Sequence, residues 1–104
     1  MLKNMKVLFQ NMKNLLKQII NQQKVIFILG QTWYMRKKYD LAISHFKKSA
    51  ILYDKAAYMP TLLLHSAISF ENTKDKENAK SFYSTLIDLY PNSSEAKDSK
   101  KKFN

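Results

Sequence analysis

The sequence predicts an all-α fold built from stacked helical hairpins. Of its 104 residues only one is glycine and two are proline, which is unfavourable for turn-rich sandwiches and barrels. Hydrophobic residues make up 45% of the chain, enough for one small core. They recur at spacings of three and four, as helices with one buried face require. Without cysteine there is no disulfide framework and no thiolate nucleophile.

The positive charge is concentrated at the N-terminal end. The net charge is +10, and the first 38 residues carry eight basic side chains and no acidic one. Such an excess is compatible with nucleic acid, anionic lipid or an acidic partner. All but Arg36 of these eight are lysine, whereas phosphate-binding proteins usually recruit more arginine. A biased genome composition is therefore favoured over nucleic-acid binding.

No apolar run in the sequence reaches the ~18–20 residues of a membrane span. The segment from Met1 to Phe9 begins like a signal peptide. Gln10 and Asn11 interrupt its apolar run, and no small-residue cleavage site follows. We therefore expect no export signal in this chain.

Two helices are predicted in the N-terminal third of the chain. The first spans Lys3 to Ile20 and has a polar face of lysine and asparagine. Its apolar positions are Met5, Leu8, Phe9, Met12, Leu15, Leu16, Ile19 and Ile20. The polar run 21–23 is expected to break this helix. A second helix is predicted over residues 24–36.

The middle of the chain predicts two more helices. The third spans 39–53, and residues 54–57 connect it to the fourth. Pro60 suits the first turn of the fourth helix, where its missing N–H is not needed. This helix is expected to end near residues 71–72.

Capping residues delimit the last two predicted helices. Asp75 is a good N-cap for a fifth helix over 76–90, which Pro91 ends. Asn92 followed by Glu95 resembles a capping box, in which both side chains accept hydrogen bonds from exposed backbone N–H groups. A short sixth helix is therefore predicted over 93–102.

A step of 37 residues brings similar side chains into register, small with small and aromatic with aromatic. The matched pairs are Gly30 and Ala67, Trp33 and Phe70, Ala42 and Ala79, and Phe46 and Tyr83. In a helical hairpin a small residue lets two backbones approach, and an aromatic ring fills the space beside it. The repeat therefore predicts two hairpins with similar packing.

This pattern resembles the tetratricopeptide repeat. The motifs are Leu29-Gly30-x-x-Trp33 with Ala42-x-x-x-Phe46, then Ala67-x-x-Phe70 with Ala79-x-x-x-Tyr83 and Pro91. The chain departs from the family at Asp54, where proline is expected, and in its period of 37 rather than ~34 residues. The resemblance implies an α-solenoid of helical hairpins that ends in a C-terminal capping helix.

The C-terminal half is more narrowly similar to the YbgF/CpoB family of Tol-Pal accessory proteins and cell division coordinators. The likeness lies in residues 57–64, 79–83 and 89–97, which include Tyr90-Pro91-Asn92-Ser93-Ser94-Glu95-Ala96. This resemblance implies a periplasmic protein. Its implied partners are a Tol-Pal envelope component such as TolA and, separately, a peptidoglycan synthase. The implied role is in constriction of the cell envelope during division.

The repeat step also suggests a role for the basic N-terminal helix. One step back, Phe46 maps to Phe9 and Leu52 to Leu15, so residues 3–16 correspond to the second helix of an earlier repeat. We expect this helix to pack on the second one, and the chain to be a fragment or the product of an internal start. The alternatives are contact with anionic lipid, and self-association if its apolar stripe stays exposed.

The predicted organisation follows from this repeat step. The units are 1–22 for the basic helix, 23–55 for the first repeat, 56–91 for the second repeat, and 92–104 for the capping helix and tail.

The sequence contains no catalytic or metal-binding pattern. His45 and His65 lie on different predicted helices, without an acid or nucleophile at the spacing of a triad. No His-x-x-x-His occurs, and the single glycine excludes a glycine-rich phosphate loop. We therefore predict no enzyme activity, no cofactor, no metal and no small-molecule substrate.

The predicted functional surface is a concave groove lined by the first helix of each pair. By resemblance its residues are Phe27, Gln31, Tyr34, Leu64, Ile68 and Glu71. This mainly apolar lining suits an amphipathic helix or an extended peptide. Packing between helices is an equally good interpretation of Phe27 and Leu64.

The sequence as a whole predicts a non-catalytic protein–protein interaction module. The preferred interpretation is a periplasmic factor associated with the Tol-Pal system. One alternative is a tetratricopeptide adaptor with an unrelated client, which would be cytoplasmic if the chain is not exported. The other is a nucleic-acid or anionic-membrane binder that acts through residues 1–38, with nucleic acid disfavoured.

Overall fold

The computed structural model describes residues 2–52 and 57–103, and the side chains of residues 4–52 and 57–102. Within these ranges the secondary structure consists of five α-helices and no strand, which confirms the predicted all-α fold. The helices are α1 (Leu2–Met35), α2 (Tyr39–Leu52), α3 (Met59–Asn72), α4 (Lys76–Leu89) and α5 (Ser94–Phe103). Most of the predicted connection at 54–57, and the predicted end of the third helix at Tyr53, lie outside the described residues.

The first helix is longer than predicted, because the break expected at residues 21–23 is absent. One helix of 34 residues runs through this polar segment. Asparagine and glutamine do not force the backbone out of a helix as proline does, and glutamine is a good helix former. Gln23 is only 1% exposed, and the Ser49 hydroxyl donates a hydrogen bond to its backbone carbonyl at 2.8 Å. The polar run therefore contains a buried contact with α2.

The N-terminal arm, defined as residues 4–19 of α1, does not fold back onto residues 24–36. All of its side chains are exposed. The expectation that the basic helix packs on the second predicted helix is therefore wrong, because the two predicted helices are consecutive parts of one continuous helix. The molecule measures 60 × 28 × 20 Å. None of the helices formed by the described residues is long and apolar enough to cross a lipid bilayer.

The C-terminal part of α1 and the whole of α2 form the first hairpin. A Cβ atom at Gly30 would lie 2.7 Å from two carbon atoms of the Phe46 ring, so only glycine lets the helices approach this closely. Phe46 and Ala42 are 0% exposed, and Trp33 packs half-buried against them. The first hairpin is thus stabilised by direct packing of the Phe46 ring against the backbone of Gly30.

Helices α3 and α4 form the second hairpin. Ala67, Phe70, Ala79 and Tyr83 lie in one buried cluster with Ile43 of α2. Because the cluster includes a residue of α2, it joins the second hairpin to the first. At the start of α3, Pro60 occupies the first turn, as predicted. The N-cap predicted at Asp75 is also confirmed, since its carboxylate accepts a hydrogen bond from the backbone N–H of Asn78 at 3.2 Å.

Both hairpins turn in the same way after their first helix. Lys37 and Lys74, 37 residues apart, adopt left-handed backbone conformations with φ of 62° and 65°. The hydrogen bonds that close the two turns are Lys38 N–H to Trp33 O and Asp75 N–H to Phe70 O, each 2.9 Å long. This arrangement is a Schellman motif, which usually has glycine at the left-handed position.

The last helix caps the second hairpin. Ala96 is 0% exposed and packs with Leu63 of α3 and Leu86 of α4. The predicted capping box is wrong, because the Ser93 hydroxyl, not Asn92, accepts the hydrogen bond from the Ala96 N–H at 3.1 Å, and alanine has no side-chain acceptor to complete a box. Ser93 is the N-cap of α5, and its hydroxyl also donates a hydrogen bond to the Tyr90 carbonyl at 2.7 Å. Helix α4 ends at Leu89, and Pro91 is exposed in the turn that follows.

Replacing Lys37 or Lys74 by glycine is expected to raise the free energy of unfolding by about 1 kcal/mol per site. The reason is that a Cβ atom disfavours the left-handed conformation, and glycine has none. Equilibrium unfolding in urea measures the change. Alanine at the same positions keeps the Cβ atom and serves as the control, so a gain of equal size with alanine would contradict this explanation.

The variant Gly30→Ala is expected to lower the free energy of unfolding. Overpacking against Phe46 costs about 1–3 kcal/mol, more than the ~1 kcal/mol that alanine gains over glycine in a helix. A double-mutant cycle with Phe46→Leu checks the cause by urea unfolding. In the Phe46→Leu background the alanine should be neutral or stabilising; an unchanged penalty there would exclude the Gly30–Phe46 contact as its origin.

Candidate protein-binding groove

Helices α1 and α3 are the first helices of the two hairpins, and in stacked hairpins such helices line the concave side. The capping helix α5 packs on α3 next to them. We call the surface formed by these three helices the groove. Side-chain contacts join α1 to α3 and α3 to α5. Gln31 of α1 contacts His65 of α3, and Thr61 of α3 donates a hydrogen bond to Glu95 of α5 at 3.2 Å. These contacts fix the spacing of the helices along the groove.

His65 is the centre of the contact between α1 and α3. Its Nδ1–H donates a hydrogen bond to the side-chain oxygen of Gln31, because an amide oxygen can only accept. The ring of Tyr34 stacks on the imidazole, with centroids 4.1 Å apart and planes 9° from parallel. Burial lowers the pKa of His65, and the nearby carboxylate of Glu95 opposes this effect. The histidine therefore favours its neutral form.

Tyr34 has a second aromatic neighbour at the edge of the groove. The ring of Tyr39, at the start of α2, meets it edge-on with centroids 6.0 Å apart. Burial is the main reason why the pKa of Tyr34 is raised. Like any tyrosine hydroxyl at neutral pH, that of Tyr34 is protonated and is able to donate or accept a hydrogen bond.

Charged side chains lie at the other end of the groove, between α3 and α5. The Lys102 ammonium lies 3.4 Å from a carboxylate oxygen of Glu71 and donates a hydrogen bond to the Tyr83 hydroxyl at 3.0 Å. Burial, reinforced by the Glu71 carboxylate, raises the pKa of Tyr83. Among residues 2–52 and 57–103, no three side chains of His, Asp or Glu are grouped as metal ligands.

The six residues predicted to line the groove have different surroundings. Gln31, Tyr34 and Ile68 are half-buried on α1 and α3, and Glu71 is exposed. Phe27 stacks on Tyr58 with ring centroids 4.0 Å apart, and it lies 5.9 Å from the Phe46 ring. Leu64 packs against two of the buried clusters. Phe27 and Leu64 therefore contribute to helix packing, as Tyr34 and Ile68 also do in part, since each packs against a buried cluster. Binding of a partner by Gln31, Tyr34, Ile68 and Glu71 stays a prediction.

Sequence reasoning missed His65 and Lys102 as groove residues. The sequence prediction describes His65 only as a histidine without triad partners, and it places Lys102 in the capping helix without a role in the groove. The 37-residue repeat could have indicated both residues, because Ile28, His65 and Lys102 are 37 positions apart and therefore occupy equivalent places in successive repeats. Because His65 lies on a groove-lining helix, its repeat equivalent Lys102 is expected on the groove side as well. The contact with Gln31 was not visible in the sequence, since it joins residues 34 positions apart.

Two stacked hairpins with a capping helix define a helical-repeat scaffold, the class of protein that this fold represents. Residues 61–93 match the family model described as tetratricopeptide repeat. The matched segment runs from the first turns of α3 through α4 to the N-cap of α5. No curated protein matches the chain. The fold is thus an all-α helical repeat of tetratricopeptide type, a scaffold for protein–protein interactions that is typically non-catalytic.

The free energy of unfolding is expected to depend on pH through His65. Because the pKa of His65 is lowered in the folded chain, the unfolded chain binds the proton first as the pH falls below about 6.5. The stabilisation by neutral His65 is complete above that pH and is lost as the pH drops through the lower folded pKa. Urea unfolding across this range measures the loss.

The variant His65→Phe keeps a ring against Tyr34 but cannot titrate, so its unfolding should depend less on pH in this range. His45→Gln, which leaves the contacts of His65 in place, is the matched control and should behave as the wild type. If His45→Gln rather than His65→Phe removes the dependence, the assignment to His65 is wrong.

Proposed function

We propose that this chain is a protein-binding module that holds an amphipathic helix or an extended peptide of a partner in the groove. The observation that carries the proposal is the contact of Gln31 and Tyr34 with His65. It joins α1 to α3 along the groove and leaves all three side chains only partly buried. Ile68, one turn further along α3, is also half-buried and adds apolar surface.

The chemistry of the groove suits a segment with an apolar stripe and a few polar groups. Tyr34 and Ile68 offer apolar surface, and burial of such surface drives association of this kind. Glu71 and Lys102 at one end offer charges of both signs, so that they are able to orient a bound segment without requiring it to be acidic or basic.

The narrower proposal is a periplasmic factor of the Tol-Pal system that acts in envelope constriction during division. Its partners would be TolA and a peptidoglycan synthase. Its support is the resemblance of residues 57–64, 79–83 and 89–97 to the YbgF/CpoB family. The alternative is a tetratricopeptide adaptor with an unrelated client, which uses the same groove.

Isothermal titration of the chain with the soluble periplasmic region of TolA tests the narrower proposal. We expect binding that Ile68→Lys weakens at least tenfold, because a charge replaces apolar surface in the groove. Glu71→Lys should also weaken binding, because it removes the negative charge of the pair that orients the bound segment. Its exposed ion pair with Lys102 contributes at most about 1 kcal/mol to folding, so this variant stays folded.

The matched control is Asp88→Lys, which makes the same change of charge at an exposed position of α4, away from the groove. It should bind as the wild type. Equal weakening by Asp88→Lys and Glu71→Lys would contradict groove binding. Failure of the wild type to bind TolA would exclude this partner and favour an unrelated client.

A further inference from the structure

The N-terminal arm carries a continuous apolar face that the rest of the described chain leaves exposed. Seven side chains between 40% and 68% exposed form this face: Met5, Leu8, Phe9, Met12, Leu15, Leu16 and Ile19. At about 100° per residue they cover about 120° of the helix circumference. Scattered apolar residues are ordinary on a protein surface, but a contiguous apolar face marks an interaction surface.

The charge of the arm has a single sign. One edge of the apolar face carries a row of lysines, and the other edge carries neutral amides. The lysines are Lys6, Lys13 and Lys17, and the amides are Asn4, Asn11 and Gln18. No acidic residue occurs in the first 38. The surface that complements the arm must therefore offer negative charge beside an apolar region.

Lys13 illustrates how the lysine row meets the apolar face. Its ammonium nitrogen lies 4.6 Å from the centroid of the Phe9 ring. A lysine in this position is able to keep its methylene groups beside apolar surface while its charge reaches polar groups outside. Lysines adopt the same arrangement at the boundary between the hydrocarbon core of a lipid bilayer and its charged headgroups.

We propose that the N-terminal arm lies on the surface of a bilayer that contains anionic lipid. An amphipathic helix with leucine and phenylalanine on one face buries that face ~5–10 Å into the boundary between headgroups and acyl chains. Anionic headgroups attract the lysines at its edge. A lipid surface thus matches both the width of the apolar face and the single sign of the charge.

Other occupants fit the arm less well. Two copies of the arm would bring together segments that carry only positive charge, without an acid to pair with. The apolar face spans about two heptads, fewer than the three or four of a coiled coil, and is wider than a coiled-coil seam. A nucleic acid would bind the lysines but offers no apolar surface to cover the seven exposed side chains.

The continuity of α1 links the arm to the groove. At about 1.5 Å per residue, Gln31 lies about 18 Å along the helix from Ile19, the last residue of the arm. No loop separates them, since α1 is helical from Leu2 to Met35. An arm on the lipid surface would therefore hold the groove close to that surface at a defined distance.

Sedimentation of the full chain with lipid vesicles tests the proposal. Vesicles of phosphatidylcholine with about one third phosphatidylglycerol are compared with vesicles of phosphatidylcholine alone, at physiological ionic strength. We expect the chain to sediment with the anionic vesicles and to remain in the supernatant with the neutral ones.

Two sets of variants locate the contact. Leu8→Glu/Leu15→Glu places two carboxylates on the apolar face at positions that are 61% and 58% exposed, and should reduce vesicle binding at least tenfold. Replacing Lys6, Lys13 and Lys17 by glutamine should reduce it roughly a hundredfold, since each lysine near an anionic surface contributes about a factor of five. The matched control is Ile51→Glu, at a side chain of α2 that is 84% exposed, and it should bind as the wild type.

Three results would overturn the proposal. The first is the absence of binding to anionic vesicles. The second is binding that Leu8→Glu/Leu15→Glu leaves unchanged, which would place the lipid contact elsewhere in the chain. The third is a concentration-dependent dimer in analytical ultracentrifugation that this variant abolishes, without vesicle binding by the wild type, which would assign the arm to a second copy.

Discussion

The contact between Gly30 and the Phe46 ring is the interaction on which the rest of the structure depends. It sets how closely α1 and α2 approach, because a single Cβ atom at residue 30 would collide with the ring. The ring is fully buried, and Met59 and Leu62 of α3 complete the cluster around it. Both α1 and α3 are thus positioned against one aromatic side chain. The stack of Tyr34 on His65, and with it the spacing of the groove, follows from that shared packing.

A second constraint is the unequal length of the helices in the first hairpin. Helix α1 has 34 residues, whereas α2 has 14. The contact of Gln23 with Ser49 lies near the last turn of α2, so α2, described as far as Leu52, does not extend alongside the arm. The apolar face of the arm therefore continues past the point where the fold is able to bury it. The groove and the arm belong to one uninterrupted helix, so whatever holds the arm also orients the groove.

Much of the fold could be predicted because its signals are local or repeated. The N-cap at Asp75 and the proline in the first turn of α3 depend on chemistry within one helical turn. The hairpin partners depend on the 37-residue step, which is also the distance between the left-handed residues Lys37 and Lys74. The predicted break at 21–23 failed because a polar run has the same appearance in a loop and in a buried contact between helices. Only the position of Ser49 distinguishes these two cases.

The sequence by itself determined that the chain is helical, where most helices begin and end, and which pairs pack as hairpins, because backbone geometry and capping act over a few residues. Tertiary structure decided what each helix face meets. It assigned Phe27 to packing, brought His65 against Gln31 and Tyr34, and left the arm exposed. The physical reason is that an apolar or polar side chain is equally compatible with a core, a groove or a free surface. Burial and hydrogen bonding depend on which distant residues occupy the space around it.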